Sequence, residues 1–291
     1  MTWSQAIDAF EVHLIDAERS PKTLAAYRED LLVFESWYTH QYGMVPELGE
    51  LGTAELREWK SYLTLARSQA PATVNRRLAA LRSFSAWSVS TGSSAIPVPR
   101  SVREVIQPPK WLSVKEQHAM IRAVERSKDM RTACVVKVML HTGIRVAELQ
   151  SLTCGQVKIG PRSGSITVTG KGRKRRTIPL GSEPRAAILS YRPGWQDTLS
   201  SPLVSGQRGP LQIRAIERIV ETIAAVARLP GLSCHVLRHT FCRRLAEAGV
   251  RLEQIAALAG HESLDTTRRY VEPGQEELAA AVEKLSGGSD D

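Results

Sequence analysis

Disulfide chemistry is the first thing this 291-residue chain lacks. Its four cysteines, Cys134, Cys154, Cys234 and Cys242, form no CxxC pair and stand among apolar residues. They read as small, reduced core residues, which excludes a disulfide framework and a zinc knot. No stretch approaches the roughly 20 apolar residues of a membrane span, and the opening MTWSQAIDAFEVHL lacks a basic region followed by an apolar run. The expectation is a cytoplasmic protein with no membrane partner. Internal repeats and low-complexity blocks are absent. So is a P-loop: five residues separate Gly164 from Gly170-Lys171 where the motif has four, and Gly172 stands where Ser or Thr would meet magnesium. Nor is there an acidic cluster to hold catalytic magnesium. If this chain handles phosphate, fixed side-chain cations must do it, without a cofactor or a metal.

What is present is an ordinary globular composition, 42% hydrophobic and 24% charged, at a length that allows two domains with separate cores. The net charge of +9 is unevenly spread. Residues 1–92 carry nine Lys and Arg against eleven Asp and Glu, whereas residues 93–291 carry 30 against 19. A basic excess confined to the C-terminal two-thirds favours a polyanionic partner such as nucleic acid.

Hydrophobic spacing organises the chain. In SPKTLAAYREDLLVFESWY, Ser20 is an N-cap and Pro21 opens a helix on which Leu24, Tyr27, Leu31, Phe34 and Tyr38 recur at helical intervals. TAELREWKSYLTLA and PATVNRRLAALRSFSAWSVSTG repeat the pattern, the second with Val74, Leu78, Leu81 and Ala86 inward and Gly92 as a stop. With residues 3–18 they make a four-helix N-terminal domain over 1–92. Four prolines then mark residues 93–110 as a linker. In the remainder, 111–291, Ser113 and Glu116 form a capping-box pair, RTACVVKVMLHTG is apolar almost all round and reads as a buried helix, and GSITVTGKGRKRRTIPL reads as a β-hairpin. Further helices are expected over residues 213–229, 251–260 and 263–271. The fold class is mainly α, in two domains, the second a mixed α/β domain with a small antiparallel sheet.

The helix SCHVLRHTFCRRLAEAG, residues 233–249, begins with two histidines and an arginine. Cys234, Leu237, Phe241, Leu245 and Ala248 form an apolar stripe, and His235, Arg238, His239, Cys242 and Ala246 fall opposite. A solvated polar face is the plain reading. Zinc is disfavoured, because Val236 replaces the glutamate of the zincin pattern and Arg238 would repel a cation; an anion fits better.

Four more places carry potential chemistry, each with a plainer reading. Arg145 follows a helix-terminating glycine and could simply pair with Glu148. Lys171, at the hairpin tip beside Arg173, Lys174, Arg175 and Arg176, could belong to a nonspecific phosphate patch. His261 follows another helix-ending glycine and could be a dipole-held histidine. Tyr270, nine residues on, could be a half-buried core aromatic.

Taken in order, Arg145, Lys171, His235-x-x-Arg238, His261 and Tyr270 resemble the tyrosine recombinase, or phage integrase, family, particularly its Xer-like members. TGIRVAEL, GKGRKRRTIPL, HVLRHTFCRRLAEAGV and LAGHESLDTTRRYV carry the resemblance. It extends to the N-terminal helices, which look like that family's core-binding domain, and so covers nearly the whole chain. Only the linker is richer in proline than the family leads one to expect.

The resemblance implies site-specific DNA recombination by transesterification. Tyr270 would be the nucleophile, forming a 3′-phosphotyrosyl link and freeing a 5′-hydroxyl without ATP. Arg145, Arg238 and His261 would stabilise charge on the phosphate, Lys171 would protonate the leaving oxygen, and His235 would take the tyrosine proton. Arg76, Arg77, Arg82, Arg173, Lys174 and Arg175 are further DNA-contact candidates. The implied partners are double-stranded DNA with paired sites and, in the synaptic complex, a homotetramer of chains that are monomers in isolation, with the apolar stripe of Leu278, Ala281, Val282 and Leu285 docking on a neighbour. Two alternatives share parts of this reading: a type IB topoisomerase, distinguished by supercoil relaxation without site-specific products, and a DNA-binding protein derived from such an enzyme, distinguished by the absence of a covalent adduct.

Overall fold

The computed structural model describes residues 1–104, 109–170, 174–194, 199–207, 209–261, 263–270 and 283. The chain divides into two units, Met1–Ile106 and Gln107–Asp291. Among the described residues no helix is long and apolar enough to cross a membrane.

The first unit is built from α1 (Trp3–Asp16), α2 (Pro21–Tyr42), α3 (Thr53–Ser61), which continues as a π-helical turn over Tyr62–Ala66, and α4 (Pro71–Ser90). Local chemistry sets the ends. The Thr2 side chain accepts the Gln5 N–H while Gln5 reaches back to the Thr2 N–H, and Ser20 caps α2 ahead of Pro21, satisfying N–H groups that a helix start leaves free. Eleven of the sixteen aromatic residues fall in the first 92 positions, and they fill this core. Trp3 meets Phe84 at 5.0 Å between ring centroids and Trp37 meets Trp59 at 5.0 Å. On α4 the inward series is Val74, Leu78, Leu81, Phe84, Ser85 and Ser88. Ala86, expected inward, is exposed, because a step of one residue from Ser85 rotates it about 100° off that face.

The proline-rich stretch does more than connect. Ile96 is buried in the first unit's core, and its N–H donates to Ser85 Oγ at 2.8 Å. Asn75 holds Val102 from both sides, its amide donating to the Val102 carbonyl and its Oδ1 accepting the Val102 N–H. Residues 93–102 are therefore packed against α4.

The second unit contains α5 (Val114–Ser127), α6 (Met130–Thr142), α7 (Val146–Ser151), strands β1 (Val157–Ile159), β2 (Gly164–Thr169) and β3 (Arg175–Pro179), α8 (Ser182–Tyr191), the two-residue strands β4 (Ser205–Gly206) and β5 (Gly209–Pro210), then α9 (Ile213–Ala227), α10 (Cys234–Glu247), α11 (Leu252–Ala259) and α12 (Leu264–Arg268). The Ser113–Glu116 capping box forms as expected. So does the hairpin: β2 and β3 pair from Ser165↔Pro179 to Thr169↔Arg175. Strand β1 adds antiparallel to β2, and the register places Val157, Ile166 and Ile178 in one row across the sheet. All three are buried, so one face of the sheet closes on the core. Helix α6 runs through that core with eight of its thirteen residues buried. The four cysteines are free and buried.

Candidate active site

The site grows from two helix ends. Helix α6 stops at Gly143, whose φ of +62° is left-handed, and α11 stops at Gly260, at +67°. Neither position has room for a side chain: a β-carbon at Gly143 would run into the Phe241 ring, and one at Gly260 would lie 2.7 Å from Arg176 Nη1. Glycine is therefore required twice over, by backbone conformation and by contact. Each end leaves carbonyl oxygens without intrahelical partners, and these attract cations.

Two arginines take them. Arg238 donates from Nη1 to Gly143 O and from Nη2 to Ala259 O, both at 2.6 Å. Arg145, the N-cap of α7, donates from Nη2 to Gly260 O at 2.8 Å. Arg238 is only 6% exposed, and burial together with the nearby Arg145 charge lowers its pKa to about 10. It remains charged at neutral pH. Of the polar side of α10, Arg238 and Cys242 are buried, as are Thr240 and Arg243 beside them, whereas His235 is exposed. Arg243 stacks on Trp111 at 4.9 Å, pairs with Glu247 at 2.8 Å and donates to Tyr270 O at 3.2 Å.

A buried carboxylate underlies Arg145. Glu148 accepts the Arg145 N–H at 2.7 Å and lies 3.2 Å from Arg145 Nη1. Its two oxygens also receive Nη1 and Nη2 of Arg176 at 2.7 and 2.8 Å. Burial pushes this carboxyl up, yet the Arg176 hydrogen bonds, the Arg145 N–H and both positive charges hold it below its ordinary value. In the sequence, Glu148 reads only as an ion-pair partner of Arg145 and Arg176 only as part of a basic run. The signal for Arg176 was strand alternation, since it shares the inward face of β3 with Ile178.

Tyr270 lies against this frame, 3% exposed, in a small apolar cluster with Phe241, Cys242, Ile255 and Ala259. Its ring stacks on His261 with centroids 6.0 Å apart and tilts against His239 at 5.5 Å. Burial, with a contribution from Cys242, raises its pKa to about 12, and the charge of Arg238 works the other way. His261 meets Thr267 Oγ1 through Nδ1 at 2.8 Å. Burial first, then Arg238 and Arg145, lowers its pKa to about 4, so it is neutral at pH 7. His239 holds the Lys110 carbonyl at 3.1 Å. His235 is exposed one turn earlier, its ring 6.3 Å from that of His239.

Arg145, Glu148, Lys174, Arg175, Arg176 and His261 line a common groove of about 1010 Å³. Lys171 and Arg173 lie outside the described residues, as do Leu278, Ala281, Val282 and Leu285; Gly170 and Lys174, on either side of the hairpin tip, are on the groove wall. In the first unit, Arg76 pairs with the buried Asp30 at 2.7 Å, Arg77 approaches it at 3.6 Å, and Arg82 donates to Ser101 Oγ at 3.0 Å. These three side chains are engaged within their own unit.

Comparison with known proteins adds the lineage. Residues 110–277 match the phage integrase family, and residues 7–92 match the phage integrase N-terminal SAM-like domain. The chain belongs to the phage integrase family. This tyrosine recombinase is 33% identical to tyrosine recombinase XerC of Pelobacter propionicus, over 96% of this chain and 94% of the relative. It is 32% identical to tyrosine recombinase XerC of Mycobacterium leprae, over 91% and 93%. Among solved structures, XerH site-specific recombinase bound to a palindromic difH substrate in a post-cleavage complex shares its fold with a TM-score of 0.74 at 21% identity, covering 90% of this chain and 80% of that one. The Tn1549 transposon integrase in complex with circular intermediate DNA gives 0.74 at 18%, covering 98% and 100%. The fold is that of the family, a helical SAM-like domain followed by a catalytic domain with a small antiparallel sheet, and the protein is a Xer-like site-specific DNA recombinase.

Proposed function

We propose that this recombinase cuts and rejoins DNA through Tyr270, with Arg145, Arg238 and His261 on the phosphate. The Tyr270 oxygen attacks the scissile phosphorus, the bond from phosphorus to the 5′-oxygen breaks, and a 3′-phosphotyrosyl link conserves its energy. His235 takes the tyrosine proton, and Lys171 gives one to the departing 5′-oxygen. Arg145, exposed on the groove, and Arg238, through the Nη hydrogens that the Gly143 and Ala259 carbonyls leave free, donate to the nonbridging oxygens, where charge accumulates. Reversal of the step by a 5′-hydroxyl from a second strand completes the exchange, with no metal or ATP required by the chemistry.

One observation carries this reading: two arginines anchored on neighbouring helix ends flank a histidine stacked on Tyr270. Tyr270 is buried at rest, so its hydroxyl meets DNA only after leaving its pocket. That displacement also relieves the burial that raises its pKa.

The partners in this proposal are duplexes with paired sites, held in a cytoplasmic homotetramer that assembles from monomers. Lys174 and Arg175, exposed on the groove wall, contact the backbone together with Arg173. Arg76, Arg77 and Arg82 contribute from the first unit where DNA competes for their present partners. Recovery and sequencing of DNA covalently trapped on the protein tests the whole proposal. A single recurrent sequence with a fixed cleavage position supports it, relaxation without site-specific products supports a topoisomerase, and no trapped DNA overturns both.

A further inference from the structure

Within the basic run Arg173-Lys174-Arg175-Arg176, the Arg176 guanidinium is engaged by the protein itself at all three of its nitrogens. Arg176 gives Nη1 and Nη2 to the two oxygens of Glu148 and Nε to the Leu258 carbonyl at 2.9 Å. Its side chain is 13% exposed and that of Glu148 only 5%. Gly260 lies directly over it, so closely that even a methyl group there would meet the guanidinium. Glu148 binds Arg145, and Arg145 returns to Gly260 O. The contacts close a ring through three separate segments: β3, the start of α7, and the end of α11.

We propose that Arg176 is a positioning residue, which neutralises Glu148 so that Arg145 stays free to bind the scissile phosphate. Glu148 alone, beside Arg145, would form a two-member ion pair. Its negative charge would draw the Arg145 guanidinium inward and repel a phosphate approaching the same place. With both carboxylate oxygens engaged by a bidentate Arg176, Arg145 needs to make only the single 3.2 Å side-chain contact with Glu148. Its side chain remains 42% exposed on the groove. The same ring fixes the segment that continues into His261 and strand β3, which follows Lys171 in the sequence. This role is distinct from DNA contact, which a basic run would otherwise suggest for all four cations.

The inference rests on the proposed function, and the test separates the two. Full-length protein is assayed with a nicked, radiolabelled recognition duplex for the rate of covalent adduct formation at saturating protein, and for DNA affinity as a function of salt. Arg176→Ala should slow adduct formation by roughly a hundredfold, comparable to loss of a transition-state donor, with little change in affinity. The slope of log affinity against log salt should not move, whereas loss of a phosphate contact lowers it by about one. Arg176→Lys, which keeps the charge without the two-point grip, should fold and lose roughly tenfold in rate. Adding Glu148→Gln to Arg176→Ala should restore at least about tenfold of the lost rate, because the anion that misplaces Arg145 is gone. A merely structural residue would show no such rescue. A lowered salt slope, full activity in Arg176→Lys, or a double variant slower than Arg176→Ala would each overturn the positioning role alone. No adduct from the unsubstituted chain would overturn the proposed function, and this inference with it.

Discussion

The rings of Tyr270 and His261 lie nearly parallel, their planes 17° apart and their centroids separated by 6.0 Å. A charged imidazolium in that position would be buried and would sit in the positive field of Arg238 and Arg145, and it is the neutral form that the site favours, with a pKa of about 4. The tyrosine beside it is held protonated, near 12. The resting site is thus poised with both partners uncharged and the guanidinium groups supplying the positive field.

That pairing makes a pH prediction. His141 is also lowered to about 4, mainly by burial and then by Arg244. Between about pH 6.5, the ordinary histidine value, and pH 4, the unfolded chain binds protons that folded His141 and His261 refuse. Folded-state stability should therefore fall as pH is lowered through that window. Asp30, raised to about 6 chiefly by burial, works in the opposite sense in the first unit. Denaturant unfolding of the parent and of His141→Gln, compared at pH 8 and pH 4.5, isolates the effect. The variant should lose less stability on acidification than the parent.

Gly143→Ala should destabilise the second unit by about 3 kcal/mol, combining left-handed backbone strain with overpacking against Phe241. Adduct formation should fall as well, because Gly143 O holds Arg238. Urea titration followed by tryptophan fluorescence measures the first effect. A change below about 0.5 kcal/mol would contradict the packing described for this turn.

A first-unit fragment that stops at residue 92 should be less stable than one that stops at 106. The longer fragment keeps the buried Ile96 side chain and its bonds to Ser85. Burial of an isoleucine side chain is worth about 2 kcal/mol and a hydrogen bond about 1 kcal/mol. Thermal melts of the two fragments should differ by several degrees, with the shorter one melting first.

Lys171→Ala should slow cleavage of ordinary DNA by roughly a hundredfold or more if Lys171 is the general acid. On a duplex with sulfur in place of the 5′-bridging oxygen the leaving group scarcely needs a proton, and the variant should recover. Arg145→Ala and Arg238→Ala should recover much less, because the charge they stabilise lies on the nonbridging oxygens. An equal defect of Lys171→Ala on both substrates would assign the proton to another group.

Much of this site is legible in the sequence because its parts obey local rules. Gly143 and Gly260 announce helix ends, Ser113 and Ser20 announce starts, and the Gly-Lys-Gly sequence after an alternating first arm announces the hairpin. What is not legible depends on partners distant in the chain. Strand β1 is three residues long, too short to show alternation, and it is defined by pairing with β2. Helix spacing places Arg238 on a polar face and does not show its burial; the ends of α6 and α11 cover it, and it becomes an interior cation held by two carbonyls. Arg176 looks like its basic neighbours until the buried Glu148, 28 positions earlier, is placed beneath it. In the first unit, the prolines after Gly92 conceal an anchoring residue, Ile96, whose burial no periodicity signals.

Every step proposed for this site requires that Tyr270 become covalently bonded to DNA. The most direct measurement of that bond is mass spectrometry of the protease- and nuclease-digested adduct formed on a nicked duplex that releases its short 5′-hydroxyl fragment and so traps the intermediate. One modified peptide is expected, carrying a 3′-linked nucleotide on Tyr270, and no adduct from Tyr270→Phe. A nucleotide attached to any other residue, or an adduct that survives in Tyr270→Phe, would contradict it.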